Sequence, residues 1–230
     1  MGGLFITGTN TGVGKTYVGA MIAQALLKSG QRVGVYKPVE SGCRREEDSL
    51  FAADANLLWH AAGQPGTLQN VCPQCFEAAL APPLAAAQEG KTVDHHLLRS
   101  GFEYWRERSD IVLVEGAGGL MSPLSDSDYN IGIAKDLGLP LVVVAANELG
   151  TINATLQTLI TARSLAPELS IAGVVLNQTQ VLSEDQSTTS NAKELRSHLE
   201  VPLLATVEHQ QQTLVSGIDW LAIALHGSID

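Results

Sequence analysis

Gly8, Gly12 and Gly14, followed at once by Lys15 and Thr16, are the densest concentration of chemistry in the chain, because the run from Leu4 to Thr16 reads as strand, loop and helix start. Glycines so placed let successive backbone N–H groups turn toward one point, as the oxygen shell of a polyphosphate requires. Lys15 adds a mobile positive charge, and Thr16 a hydroxyl of the kind that ligates magnesium beside the terminal phosphates. The usual phosphate-loop spacing is glycine, four residues, then Gly-Lys-Ser/Thr. In this chain Thr9 takes the first place of that window and Gly8 stands one residue earlier, which marks a sub-class. Gly12, Val13, Gly14, Lys15, Thr16 and Tyr17 are the candidate triphosphate contacts.

Three further places can supply charge or hydrogen bonds to the same ligand. The short strand Arg32–Tyr36 stops at Lys37-Pro38, so Lys37 and Ser41 fall at a strand's carboxyl end, where open parallel sheets bind ligands. Ile111–Val114 is an apolar run closing on Glu115, with Gly116, Ala117, Gly118 and Gly119 after it, the form of a strand whose carboxylate holds magnesium or its water. A buried carboxylate without a partner would be costly, which argues that Glu115 has work there. Asp54 is either solvated or within reach of the metal, Asn177 at the end of strand 171–176 offers an amide to a base edge, and the helix start at Gly150 can accept an anion.

These residues need a scaffold, and the apolar periodicity supplies one. Val18, Met21, Ile22, Ala25 and Leu26 define a one-sided helix over 17–29, with Gly30 as its stop. Asp48-Ser49 is expected to cap a helix over roughly 49–62 with Asp54 near its middle. Residues 63–92, carrying Pro65, Pro73, Pro82 and Pro83, read as an irregular, substrate-covering connection with a small helix over 84–89. Helices follow over 94–108 and 131–138, with strands at 141–146, 171–176 and 201–207 and a polar mobile loop over 178–192. Strands near 4, 33, 111, 141, 171 and 203 alternate with helices, so the expected fold is α/β, with one doubly wound, mostly parallel sheet flanked by helices, of P-loop NTPase type, over the single domain 1–230. The lone pair Cys72 and Cys75 reads as loop thiols, and His95-His96 as a helix-surface pair.

Composition narrows the partners. A formal net charge of -10, with no run of Lys or Arg, argues against nucleic acid or an anionic membrane and for a small-molecule substrate. No segment reaches eighteen consecutive apolar residues and the chain passes from Met1 directly into a strand, so a cytoplasmic protein is expected.

Gly8–Thr16, Tyr36–Gly42, Val114–Gly119 and Pro123–Asp126 together resemble the dethiobiotin synthetase family. The resemblance spans the chain. It implies ring closure of 7,8-diaminononanoate with carbon dioxide, ATP and Mg2+, through a carbamate and a carbamic-phosphoric anhydride. It also implies that Lys15 and Lys37 are catalytic cations and that Thr16, Asp54 and Glu115 hold magnesium. Gly116, Gly118 and Asn177 join the nucleotide contacts, Thr11 and Ser41 meet the carbamate, and backbone N–H groups around Gly118 approach the diamine. By the same resemblance Gly150 and Asn153 bind the substrate's distant carboxylate from the other subunit of a homodimer. Two places depart from the family: Gly12 stands where an acidic residue is common, and Val207-Glu208-His209-Gln210 lacks the proline that starts the adenine loop, which leaves room for other nucleoside triphosphates. The competing readings are a carboxylate-activating relative of the cobyrinic acid diamide synthase type, which has no room for its glutaminase domain here, and a partition-type ATPase switch, whose early signature lysine is Asn10 in this chain.

Overall fold

The computed structural model describes residues 1–47, 49–180, 186–214 and 217–228. In chain order the elements are β1 (Gly2–Gly8), α1 (Lys15–Lys28), β2 (Val33–Tyr36), β3 (Glu40–Ser41), β4 (Arg44–Glu46), β5 (Ser49–Phe51), α2 (Ala53–Ala61), α3 (Leu68–Val71), β6 (Cys75–Phe76), α4 (Pro82–Gln88) and α5 (Leu97–Arg106). They continue with β7 (Ile111–Gly119), α6 (Asn130–Leu137), β8 (Leu141–Ala146), α7 (Thr151–Leu165), β9 (Ile171–Asn177), α8 (Ser187–His198), β10 (Leu203–Val207) and α9 (Trp220–His226).

Among the described residues six strands form one sheet in the order β10-β9-β8-β1-β7-β2, every pair parallel. Continuous apolar runs are what a sheet covered on both faces demands, and β1, β2 and β8 are buried along their whole length. The chain leaves β1 for β2, returns to β7 between them, then crosses to β8 on the far side of β1. That reversal makes the carboxyl ends of β1 and β7 the topological switch point, and the phosphate loop grows from it. The expected doubly wound fold is therefore present, and its sheet is wholly parallel among the described residues.

Several local expectations are corrected. Residues 49–51 are not helical: β5 pairs antiparallel with β4, and α2 begins only at Ala53, so Asp54 lies in its first turn rather than near its middle. Asp48 lies outside the described residues. The connection after α2 is better ordered than expected, with a Thr67–Asn70 capping box on α3, the strand β6 carrying Cys75, and Pro82 rather than Leu84 opening α4. The helix expected over 94–108 is confined to α5, which leaves His95 and His96 in the turn before it rather than on its surface. β7 runs past Glu115 to Gly119, because the buried Asn130 amide donates to the carbonyls of Ala117 and Gly119, both at 2.7 Å. The expected mobile loop over 178–192 already contains the start of α8, whose Asn191 and Leu195 are buried; residues 181–185 lie outside the description.

Candidate functional site

The phosphate loop ends on Gly14, which caps α1 with φ +87°, a left-handed backbone that side chains rarely adopt. A Cβ there would also collide with the side-chain amide of Asn177, so two constraints require glycine. Gly12 is left-handed too, at φ +80°, but a Cβ there would meet nothing within 4 Å. An acidic side chain at that place would project into open space, and its absence leaves the loop's packing intact.

Next to the loop, carboxylates from α2 and β7 converge on one cation that follows β2. Lys37, just past β2, places its Nζ 2.8 Å from Asp54 Oδ2 and 2.5 Å from Glu115 Oε1. Thr16 donates its hydroxyl to the same Glu115 oxygen at 2.8 Å. The side chains of Lys37 and Glu115 are 3% and 1% exposed, whereas that of Asp54 is 47% exposed and opens toward the cavity. Lys15 is buried beside them, its ammonium 3.4 Å from the Asn10 carbonyl.

Burial alone would drive the Lys37 ammonium toward neutrality, but the surrounding carboxylates of Glu115, Asp54 and Glu40 outweigh it and hold Lys37 above the ordinary lysine range. Lys37 is thus a fixed cation and cannot serve as a proton acceptor near neutrality. Lys15 goes the other way: burial lowers it, and Lys37 adds to that, against an opposing pull from Glu115 and Asp54. Burial works to raise Asp54, yet the charge and hydrogen bond of Lys37 leave its carboxyl below the ordinary value.

A cavity of about 670 Å³ opens over this cluster. Thr11, Gly12, Gly14, Lys15, Thr16 and Tyr17 line one side, Lys37, Ser41 and Asp54 a second, and Gly118 a third, while Leu80 and Pro82 of the ordered connection close the rim. Ser41 donates its hydroxyl to the Leu80 carbonyl at 2.6 Å, tying that rim to β3. Glu115 lies under the cavity and acts on it through Thr16 and Lys37, and Gly116 packs against Asn130 behind it.

Asn177 is only partly what its position in the sequence suggested. Its amide donates to the Val13 carbonyl at 2.9 Å, holding the phosphate loop, and its Oδ1 is buried without a partner among the described residues. The Tyr17 hydroxyl donates to the Gln211 carbonyl, which links α1 to the segment after β10 where the expected proline is missing. Gly150 and Asn153 sit apart from this cavity within the chain, exposed at the start of α7, where Gly150 caps the helix at φ +96°.

Sequence reasoning missed two buried residues. Glu40 caps α2 from a different element, and Asn130 holds the glycine extension of β7. Glu40 was in plain view, one residue before Ser41 and three after Lys37, as a carboxylate within the same short segment. No local pattern marks Asn130.

The donors suit magnesium. One hydroxyl and two carboxylates are hard oxygen ligands, and Mg2+ keeps several waters and takes phosphate oxygens rather than demanding an all-protein cage. Accordingly, among the described residues no three His, Cys, Asp or Glu side chains gather to hold a metal by themselves.

A glycine loop at the switch point of a parallel sheet, with Lys15, Thr16 and a buried strand carboxylate beside it, defines a P-loop nucleotide-binding protein. A family model described as an AAA domain matches residues 2–214. The chain is 41% identical over 222 residues to the ATP-dependent dethiobiotin synthetase BioD of Rhodopirellula baltica, covering 92% of this chain and 86% of that one. It is 37% identical over 205 residues to the enzyme of the same name from Bacillus subtilis strain 168, covering 89% and 86%. The chain belongs to the ATP-dependent dethiobiotin synthetase family. Among solved structures, a ParA family ATPase from Chlorobium tepidum superposes with a TM-score of 0.56 at 14% identity, over 91% of this chain and 85% of that one. The MinC:MinD cell division protein complex of Aquifex aeolicus gives 0.54 at 15% identity, over 91% and 82%. These two likenesses show the fold alone.

Proposed function

We infer that the chain is an ATP-dependent cyclo-ligase of biotin biosynthesis, closing the ureido ring of dethiobiotin from 7,8-diaminononanoate and carbon dioxide. The observation that carries this for the site is Lys37, a permanent buried cation at the junction of the phosphate loop, Asp54 and Glu115. One amine takes up carbon dioxide as a carbamate; a carbamate oxygen attacks the γ-phosphate; the second amine then closes the ring as phosphate leaves. Each step moves negative charge between oxygens, so fixed cations in a water-poor site supply most of the help. Lys15 and Lys37 stabilise that charge. Thr11 and Ser41 hydrogen-bond the carbamate, Ser41 by turning its hydroxyl away from the Leu80 carbonyl. Gly118 brings backbone N–H groups to the diamine, and Gly12 to Tyr17, with Gly116 and Asn177, hold the nucleotide. Thr16, Asp54 and Glu115 would hold Mg2+, which supplies charge neutralisation at the leaving ADP.

The same reading makes the whole chain one domain with one site and places it in the cytoplasm as a homodimer, with Gly150 and Asn153 of each protomer receiving the carboxylate of a substrate bound to the other. The exposed Leu149 and Ile160 on and beside α7 give that face apolar surface. Among the described residues no helix is long and apolar enough to cross a membrane.

The test is incubation with 7,8-diaminononanoate, bicarbonate, magnesium and ATP, following phosphate and dethiobiotin by mass. Phosphate release that depends on the diamine and matches dethiobiotin is expected; release indifferent to the diamine overturns the reading. Light scattering tests the dimer separately, and a fully active monomer would remove the shared carboxylate site.

A further inference from the structure

Glu40 is 5% exposed, an unusual setting for a carboxylate with no cation bonded to it directly. Its two oxygens are each engaged by α2: Oε1 accepts the backbone N–H of Asp54 at 3.0 Å and Oε2 that of Ala55 at 2.9 Å. The helix needs them, since the residue at its own cap position, Ala52, has no side chain able to satisfy the first-turn N–H groups. A negative charge at a helix N-terminus also meets the positive end of its dipole.

The position of Glu40 gives this cap a consequence beyond helix stability. Its backbone is fixed by β3 pairing with β6, with the Glu40 N–H donating to the Gln74 carbonyl at 2.9 Å. Lys37, three residues earlier on the same segment, grips the Asp54 carboxylate at 2.8 Å. Asp54 is therefore held twice from one stretch of chain, by its backbone through Glu40 and by its side chain through Lys37. Ser41, the next residue, faces the cavity.

We propose that Glu40 is a positioning residue that fixes Asp54 for magnesium and joins the metal side of the cavity to the Ser41 side as one rigid unit. The proposal rests on Asp54 being a magnesium-holding residue, as inferred above. Glu40 also borders the cavity, but both its carboxylate oxygens are taken up by the start of α2, so it acts through Asp54. Glu40→Gln retains the size and one acceptor but presents an amide N–H2 to the second helix N–H, whereas Glu40→Ala removes both contacts.

The first measurement needs no ligand: amide hydrogen exchange at Asp54 and Ala55 in the metal-free protein. Loss of two charge-assisted hydrogen bonds should speed exchange by roughly tenfold or more in Glu40→Ala and by less in Glu40→Gln. The second is magnesium affinity, read by calorimetry with a non-hydrolysable ATP analogue and by the magnesium dependence of turnover. Affinity should fall by about 10–100-fold in Glu40→Ala, with turnover at saturating magnesium falling much less. A merely structural role would lower the yield of folded protein without moving the magnesium dependence. Unchanged exchange overturns the proposal, and so does faster exchange with unchanged magnesium affinity. If Glu40→Ala does not fold, Glu40→Gln carries both measurements, with smaller shifts in the same direction expected and no shift overturning it. Failure of the unsubstituted protein to make dethiobiotin would instead count against the functional reading and leave the exchange result standing.

Discussion

The stretch over which β2 and β7 pair is flanked on each side by a cation–carboxylate pair, in the same register. Val33 lies opposite Ile111 and Tyr36 opposite Val114, so Arg32 precedes one end as Asp110 does, and Lys37 follows the other as Glu115 does. At the amino end Arg32 bonds Asp110 through both its guanidinium and its backbone N–H, with side chains 69% and 38% exposed. At the carboxyl end the Lys37–Glu115 pair is almost wholly buried. The two pairs look alike in a sequence, and solvent separates their roles. Water screens the first, which leaves it a modest clip on the sheet. The second pays a desolvation cost that packing alone does not justify, since replacing a buried pair by apolar residues is often neutral or stabilising. A costly pair kept at the ligand-binding end of the sheet is the physical mark of a site.

The comparison breaks most directly at Lys37. Lys37→Ala should lower turnover on the order of a hundredfold or more, and normal turnover by a folded variant would end Lys37's catalytic assignment. It should also cost about 3–5 kcal/mol of stability, because Glu115 is left buried without its cation. The combined change Lys37→Met with Glu115→Leu should restore stability to within a few kcal/mol of the parent, or exceed it, while leaving the enzyme dead. Recovery of stability without activity, read by denaturant titration beside turnover, would establish that the pair is kept for chemistry. Next in size, Glu115→Gln should weaken magnesium binding by about 10–100-fold, with Thr16 and Lys37 still in place.

How much of this was legible in the sequence follows the same division between local and distant contacts. β1, the phosphate loop and α1 were readable because apolar runs and Gly-Lys-Thr are adjacent signals, and Lys37 and Glu115 each close an apolar run of their own. The start of α2 was not. Asp48-Ser49 has the form of a cap, yet the cap that forms is Glu40, which arrives from another element once β3 and β6 have paired. The reach of β7 to Gly119 likewise depends on Asn130, and the start of α8 on Asn191, whose amide donates to Asn147 Oδ1, just past β8, at 2.9 Å. Each missed feature is a polar side chain closing a tertiary contact, for which local periodicity carries no signal.

The backbone at the carboxyl end offers a smaller test. Gly14→Ala meets both a left-handed φ, costing about 1–2 kcal/mol, and the Asn177 amide, so nucleotide binding by calorimetry should fall sharply. Gly12→Ala meets only the first and should leave more binding intact; equal losses would show that contact with Asn177 is unimportant.

The smallest effects belong to the amino end. The hydrogen bonds and charge of Arg32 hold the Asp110 carboxyl down at about 2. A carboxyl depressed in the fold contributes stability that is fully present above its unfolded value, near ~3.9, and is lost as pH falls toward its folded value. Asp110→Asn should therefore leave turnover unchanged and lower the melting midpoint slightly at neutral pH. It should also flatten the parent's loss of stability between about pH 4 and pH 2. Added salt should shrink the difference between parent and variant, because both partners are exposed. A midpoint loss rivalling that of Lys37→Ala, or one indifferent to salt, would mean that solvent exposure does not separate the two ends, and the contrast between clip and site would fail.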